Sequence, residues 1–287
     1  MTYRRLSNGV ELPAIGLGSF LLKDELSAVV PQAHAMGYRL VDTSDNYGNE
    51  KFVGKGLAAC AGNGRDVVVV TKFSRPARTD SLKRAFEESA ARLGRVDVYL
   101  LHWPYPFLWK RQWRKMEDLY FAGHCRAIGV CNFDADRLRE LLSFCRVRPQ
   151  IDQFERHPLF QQAETAAFCR AQGIQVMSYS PFARMDGRLM RHPVLVEMAT
   201  RYGRSVGQVI LQWNVEHGDI PIPASRSEAH LRENLASTAF SLSEEDMAVI
   251  DGLECGQRVR FDPATRFSRV QRVKFLYYWF RGAMKNA

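Results

Sequence analysis

An aspartate and a tyrosine five residues apart, Asp42 and Tyr47, lie in the stretch Arg39-Leu-Val-Asp-Thr-Ser-Asp-Asn-Tyr-Gly-Asn-Glu50. A phenol beside a carboxylate can deliver a proton to a reacting oxygen, provided a cation is close by. Two short apolar runs end in further chemistry-bearing residues: Val-Val-Val-Val-Thr-Lys72 and Tyr-Leu-Leu-His102. Taken singly, a lysine at a strand end is an ordinary solvated charge and a histidine an ordinary structural residue. All four at equivalent strand ends read as one proton-donating site with its cation.

Those positions have to be brought together by the elements that carry them. Short apolar runs at 14–17, 39–42, 67–71, 97–101, 127–130, 150–153, 175–178 and 219–222 read as strands. Amphipathic segments read as helices at 24–36, 49–59, 80–93, 109–121, 134–144, 161–171 and 228–237, with a helix pair across 194–217. Eight strand–helix alternations predict an α/β fold, a parallel (β/α)8 TIM barrel, in which residues just past each strand's C-terminal end face one mouth. Residues 3–12 read as an N-terminal β-hairpin around Ser-Asn-Gly that caps the barrel. Ser243-Glu-Glu-Asp opens a further helix whose first-turn carboxylates suit its dipole. No linker rich in Pro, Gly or Ser interrupts residues 1–287, which are expected to form a single domain.

Composition narrows the function classes. Apolar residues make up 46% and charged residues 25%, enough for a large core and normal for a globular chain. No apolar stretch is long enough to span a bilayer, and the N-terminus lacks a signal-like apolar segment. The six cysteines are scattered without a C-x-x-C pair, which argues against a zinc site or a disulfide framework and for a cytoplasmic setting. The net charge of +9 is concentrated toward the end: residues 263–287 carry six basic residues and no acidic one. With no recognised binding motif beside that charge, nucleic acid is not the expected partner.

The chain resembles the aldo-keto reductase family from Ile15-Gly-Leu-Gly to about Gly252. The resemblance is carried by Asp42-Thr-Ser-Asp-Asn-Tyr47-Gly-Asn-Glu50, Thr71-Lys72, Leu101-His102-Trp103-Pro104, Gly129-Val-Cys-Asn132-Phe, Gln153-Phe-Glu-Arg-His157-Pro158, Tyr179-Ser180-Pro181 and Ile222-Pro-Ala-Ser-Arg226. It implies NAD(P)H-dependent reduction of an aldehyde or ketone. Tyr47 would protonate the alkoxide, Lys72 held by Asp42 would bring that proton within reach at neutral pH, and His102 would orient the carbonyl. A non-catalytic NADPH-binding regulatory or scaffold protein of the same fold is the alternative. No metal is implied. The absence of a G-x-G-x-x-G after any strand counts against a Rossmann reductase.

The resemblance also implies the cofactor contacts. Tyr179 would stack on the nicotinamide, with Asn132 and Gln153 on its carboxamide, Ser180 beside it, and Cys131 where the family usually has Ser. Ser225, Arg226, His230, Glu233 and Asn234 would hold the diphosphate and adenine end. Ala224 and His230 replace a frequent Lys and Arg that contact the 2′-phosphate, so NADPH is the expected cofactor with NADH the alternative. The substrate pocket is expected to be aromatic: Phe20 (where Trp is frequent), Phe73 and Trp103, with Tyr105 a further candidate. The connection from 181 to 193 is short and carries Arg184, Arg188 and Arg191. Residues 263–287 read as a basic aromatic helix, packed on the barrel or touching a membrane surface or partner protein. The expected assembly is a monomer acting on a small-molecule carbonyl compound.

Overall fold

The computed structural model of the protein describes residues 2–75, 80–260 and 262. The opening hairpin pairs β1 (Tyr3–Arg5) with β2 (Glu11–Pro13) in antiparallel register, Arg4 opposite Leu12. Eight parallel strands follow, each hydrogen-bonded to its neighbours in chain order: β3 (Leu17–Gly18), β4 (Leu40–Asp42), β5 (Val68–Phe73), β6 (Val98–Leu101), β7 (Ala127–Cys131), β8 (Ile151–Glu155), β9 (Gln175–Tyr179) and β10 (Ile220–Pro221). The sheet curls until its two ends meet, with the Gly16 N–H donating to Pro221 O and the Gly18 N–H to Pro223 O, both at 3.0 Å. The expected α/β barrel is therefore present, with the hairpin beside it.

Between the strands run α1 (Leu26–Met36), α2 (Glu50–Ala59), α3 (Asp80–Leu93), α4 (Trp109–Phe121), α5 (Ala135–Leu142) and α6 (Ala163–Ala171). A four-residue α7 (Gly187–Met190), then α8 (Pro193–Tyr202) and α9 (Val206–Glu216), lie between β9 and β10, and α10 (Glu228–Leu235) and α11 (Glu244–Asp251) follow. Local chemistry explains several starts. The Asp134 side chain accepts from Arg137 N at α5, Ser205 and Gln208 form a reciprocal capping box at α9, and Ser243 caps α11. No helix among the described residues is long and apolar enough to cross a membrane. The helix expected over 263–287 lies outside the described residues.

Strand alternation sorts side chains into two cores. Leu40, Val68, Val70, Val98, Leu100, Ala127, Cys131, Ile151, Met177, Ile220 and Ile222 point into the barrel, where Leu6 and Leu12 of the hairpin close its N-terminal end. Their neighbours one residue along, such as Val41, Val69, Tyr99, Ile128 and Val130, point out to the helices. By the same parity Asp42 and Lys72 face inward, each at its strand's last turns.

Barrel closure depends on the absence of a side chain at Gly18. A Cβ there would lie 2.5 Å from the Ile222 carbonyl oxygen, backbone against backbone, with no flexible group able to yield. Gly18→Ala is expected to lower unfolding stability by about 1–3 kcal/mol, read as a lower urea midpoint. An unchanged midpoint would mean that the seam is not tight.

Candidate active site

Inward parity places Lys72 and Asp42 on adjacent strands at the barrel's C-terminal end. The Lys72 Nζ donates to Asp42 Oδ1 at 2.6 Å and to the Thr43 carbonyl oxygen at 2.7 Å. Gln153, reaching in from β8, donates its Nε2 to the second carboxylate oxygen at 2.8 Å. Every strong acceptor of Asp42 is thus in use. The Tyr47 ring lies against the cation, its centroid 5.1 Å from Nζ.

Burial and charge compete in this cluster, and the outcome differs from group to group. Burial pushes the Asp42 carboxyl up, and the Lys72 ammonium and Gln153 amide pull against it. Burial also works against the Lys72 charge, but the Asp42 carboxylate outweighs it and the ammonium is held more firmly than a free lysine. For Tyr47 burial dominates: the hydroxyl is pushed above its usual value despite the opposing Lys72 charge. Lys72 acts in the expected direction, against the rise that burial causes. The phenol is a firmly protonated donor, and the cation limits a rise that burial alone would make larger.

His102 follows β6 and faces the same mouth. Its Nδ1 is bonded by the Ser74 hydroxyl and, at 3.1 Å, by the Ser44 hydroxyl, while the two serines bond each other at 2.8 Å. Ser44 gives its own proton to Asn46 Oδ1 at 3.0 Å, and the serine pair anchors the ring at Nδ1. The ring stacks on Trp103 and meets Tyr47 edge-on, at centroid distances of 5.3 and 5.9 Å. Ser44 and Ser74 escaped the sequence reading. The available signal was position: Ser44 lies inside the Asp42–Tyr47 turn, and Ser74 shares the inward parity of Lys72.

Asp42, Tyr47, His102, Phe20, Trp103, Asn132, Tyr179 and Ser180 all line one cavity of about 330 Å³, which continues to Ile222, Pro223 and Ala224 at the barrel seam. The Tyr179 hydroxyl donates to Asn132 Oδ1 at 2.7 Å, and Asn132 Nδ2 donates to the His102 carbonyl oxygen at 3.1 Å. An aromatic plate tethered this way suits a flat ring laid upon it, which is what a nicotinamide requires. Lys72, Cys131 and Gln153 are buried and do not line the cavity. The Gln153 nitrogen donates to Asp42 and to Met177 Sδ, so only its oxygen remains for a ligand.

Phe73 does not belong to the pocket. One residue beyond inward-facing Lys72, it points outward and is fully buried in the core between barrel and helices. Tyr105 is buried beside the mouth, its hydroxyl donating to the Ser74 carbonyl oxygen at 2.6 Å. At the other end, Ser225 accepts from Ser227 N at 3.1 Å, Arg226 is exposed near Glu25, and His230 is exposed on α10. Glu233 bonds the Ser205 hydroxyl, and Asn234 is buried. These five stand beyond the seam residues that line the cavity. In the 181–193 connection, Arg184 lines the cavity whereas Arg188 pairs with Asp186 at 2.7 Å.

Glu50, the first residue of α2, does more than suit its helix's dipole. It accepts from Thr71 Oγ1 at 2.6 Å and Ser89 Oγ at 3.2 Å and pairs with Arg92 at 2.7 Å, tying α2 to β5 and α3. Asn49 beside it donates to the Ser19 and Leu22 carbonyl oxygens and accepts from Thr43, fixing the loop that carries Phe20 against the Asp42 turn.

Comparison with known proteins accords with this geometry. The sequence matches the family model described as aldo/keto reductase family over residues 14–254. It is 40% identical to an uncharacterised oxidoreductase of Bacillus subtilis, over 90% of this chain and 95% of that protein, and 39% identical to a glyoxal reductase of the same bacterium over the same shares. The structure of an aldo-keto reductase from the silkworm Bombyx mori, solved in complex with NADP, superposes with a TM-score of 0.87 at 31% identity, covering 92% of this chain and 96% of that one.

The raised Tyr47 ionisation is testable without turnover. An alkaline absorbance titration of wild type minus Tyr47→Phe is expected to show no tyrosinate from this residue below about pH 10, the value of a free tyrosine. A difference signal at pH 7–8 would contradict the dominance of burial.

Proposed function

The chain belongs to the aldo/keto reductase family, and from that premise we propose that it reduces an aldehyde or ketone to the alcohol with NADPH, Tyr47 being the proton donor. The observation that carries this reading is the Lys72 ammonium held at 2.6 Å by Asp42 with the Tyr47 ring against it, at the mouth of a barrel. NADPH, when bound, supplies the hydride. The chain's own residues do the rest.

Tyr47 holds a proton at the place where a carbonyl oxygen gains negative charge. A neutral phenol next to a fixed ammonium is suited to giving that proton up transiently, because the Lys72 charge stabilises the phenolate formed at that moment. Asp42 keeps Lys72 charged and in place. His102, anchored at Nδ1 by Ser44 and Ser74, would meet the same oxygen through Nε2. Phe20 and Trp103 exclude water and hold the apolar part of the substrate.

Tyr179 and Asn132 would hold the nicotinamide, with Ser180 beside it and the Gln153 oxygen within the same strand-end group. Ile222–Ala224 and the start of α10 would take the diphosphate, backed by Arg184 from the 181–193 connection. Arg226 is the cation best placed to meet a 2′-phosphate, since Ala224 and His230 offer no fixed charge there. The NADP carried by the silkworm relative supports NADPH over NADH. The intact set of Asp42, Tyr47, Lys72 and His102 favours catalysis over a scaffold role. Six free thiols fit a reducing compartment, so we place the enzyme in the cytoplasm.

Tyr47→Phe is expected to cut kcat for carbonyl reduction at least about 100-fold, the range of a lost general acid, while NADPH binding measured by fluorescence is retained. Near wild-type turnover in this variant would remove Tyr47 from the chemistry.

A further inference from the structure

Beyond the last helix, residues 259 and 260 are clamped onto the barrel. The N–H groups of Val259 and Arg260 donate to the two oxygens of Glu155, at 2.6 and 3.0 Å. Glu155 is fully buried at the end of β8 and also contacts His157. Because a buried carboxylate holds the backbone, the Arg260 side chain starts from a fixed point. Its guanidinium lies over the Phe20 ring, 4.4 Å from the centroid, and it lines the same cavity as Tyr47, His102 and Trp103. The Phe20 ring in turn meets Tyr47 edge-on, at 5.0 Å. One aromatic ring therefore separates the Arg260 cation from the proton-donating phenol.

Among the described residues no carboxylate lies within ion-pair distance of Arg260, and the acid lining the cavity, Asp42, is already neutralised by Lys72. Most of the partly buried arginines among the described residues are differently placed: Arg39, Arg75, Arg92, Arg95 and Arg137 each have a carboxylate partner. A fixed, half-buried guanidinium against an aromatic wall is desolvated on one side and presents its planar fork to whatever enters. A carboxylate or phosphate group is the chemistry that fork fits.

We propose that Arg260 is a specificity-determining residue that selects carbonyl substrates bearing an anionic carboxylate or phosphate group, spaced from the carbonyl by one ring or a short carbon chain. The proposal rests on the reductase reading above and names its substrate class. The anion sits on Arg260 across Phe20 while the carbonyl reaches Tyr47 and His102. A neutral substrate of the same shape uses the aromatic wall alone.

The test compares 4-carboxybenzaldehyde with its uncharged methyl ester, in wild type, Arg260→Ala and Arg260→Lys, using NADPH oxidation. Loss of a charge-assisted hydrogen bond is expected to lower kcat/KM for the acid about tenfold in Arg260→Ala, mostly through KM, with the ester changed less than about twofold. Arg260→Lys is expected to recover part of the preference, and added salt to weaken it in wild type. Equal effects on acid and ester would overturn the proposal. So would a raised Kd for NADPH with the acid-to-ester ratio unchanged, which would assign Arg260 to the cofactor. Should wild type reduce the ester but show no preference for the acid, the Arg260 proposal falls and the reductase reading stands. Should it reduce neither, both fall.

Discussion

The buried ion pair of Asp42 and Lys72 is the constraint from which the rest of the site follows. Its side chains are 3% and 0% exposed, and either charge alone at that depth would cost several kcal/mol. The barrel meets the cost with geometry. Adjacent parallel strands put both residues on the inward face, and a main-chain oxygen and the Gln153 amide take up the remaining hydrogen-bonding capacity. A pair satisfied on all sides keeps its charges, so a permanent cation lies buried against the Tyr47 ring that lines the cavity. Replacing either partner alone would leave the other unpaired, which is why this pair behaves as one unit.

The same burial decides what kind of group Tyr47 is. Removing a phenol from water raises the cost of ionising it, and the Lys72 cation recovers part of that cost without reversing it. Tyr47 is accordingly an acid held in its protonated form, suited to meeting an oxygen that becomes negative. The resting state stores no phenolate. The cation acts when charge develops, and a charge fixed before the reaction needs no reorganisation during it. In the proposed reaction His102 meets the same oxygen, its ring anchored at Nδ1 by the Ser44–Ser74 pair.

Much of this was legible in the sequence because it follows from strand ends. Apolar runs of regular spacing set the barrel, and Asp42, Lys72 and His102 each close one of those runs. The hairpin was readable from its turn residues, the α8–α9 pair from its amphipathic pattern, and the start of α11 from Ser243 and the carboxylates that follow it. Other parts were hidden by specific physics. Phe73 was misplaced as a pocket residue because it follows Lys72 directly, although alternation sends consecutive side chains to opposite faces. Ser44 and Ser74 act through hydroxyls whose partner is set by tertiary approach, and small polar residues near strand ends are too common to stand out. The sign of the Tyr47 shift depends on depth of burial, which motif spacing does not reveal. Arg260 was missed because its position comes from main-chain bonds to Glu155, more than a hundred residues earlier.

On the proposed mechanism the Asp42–Lys72 pair gives Tyr47 its capacity as a proton donor. The most direct measurement is the single-turnover rate of NADPH-dependent carbonyl reduction in Lys72→Met beside wild type, with Kd for NADPH and thermal stability measured on the same samples. The account predicts that the chemical step slows by at least about 100-fold while NADPH binding stays within a few-fold and the variant remains folded. A folded, NADPH-binding Lys72→Met enzyme that reduces carbonyls at the wild-type rate would contradict it.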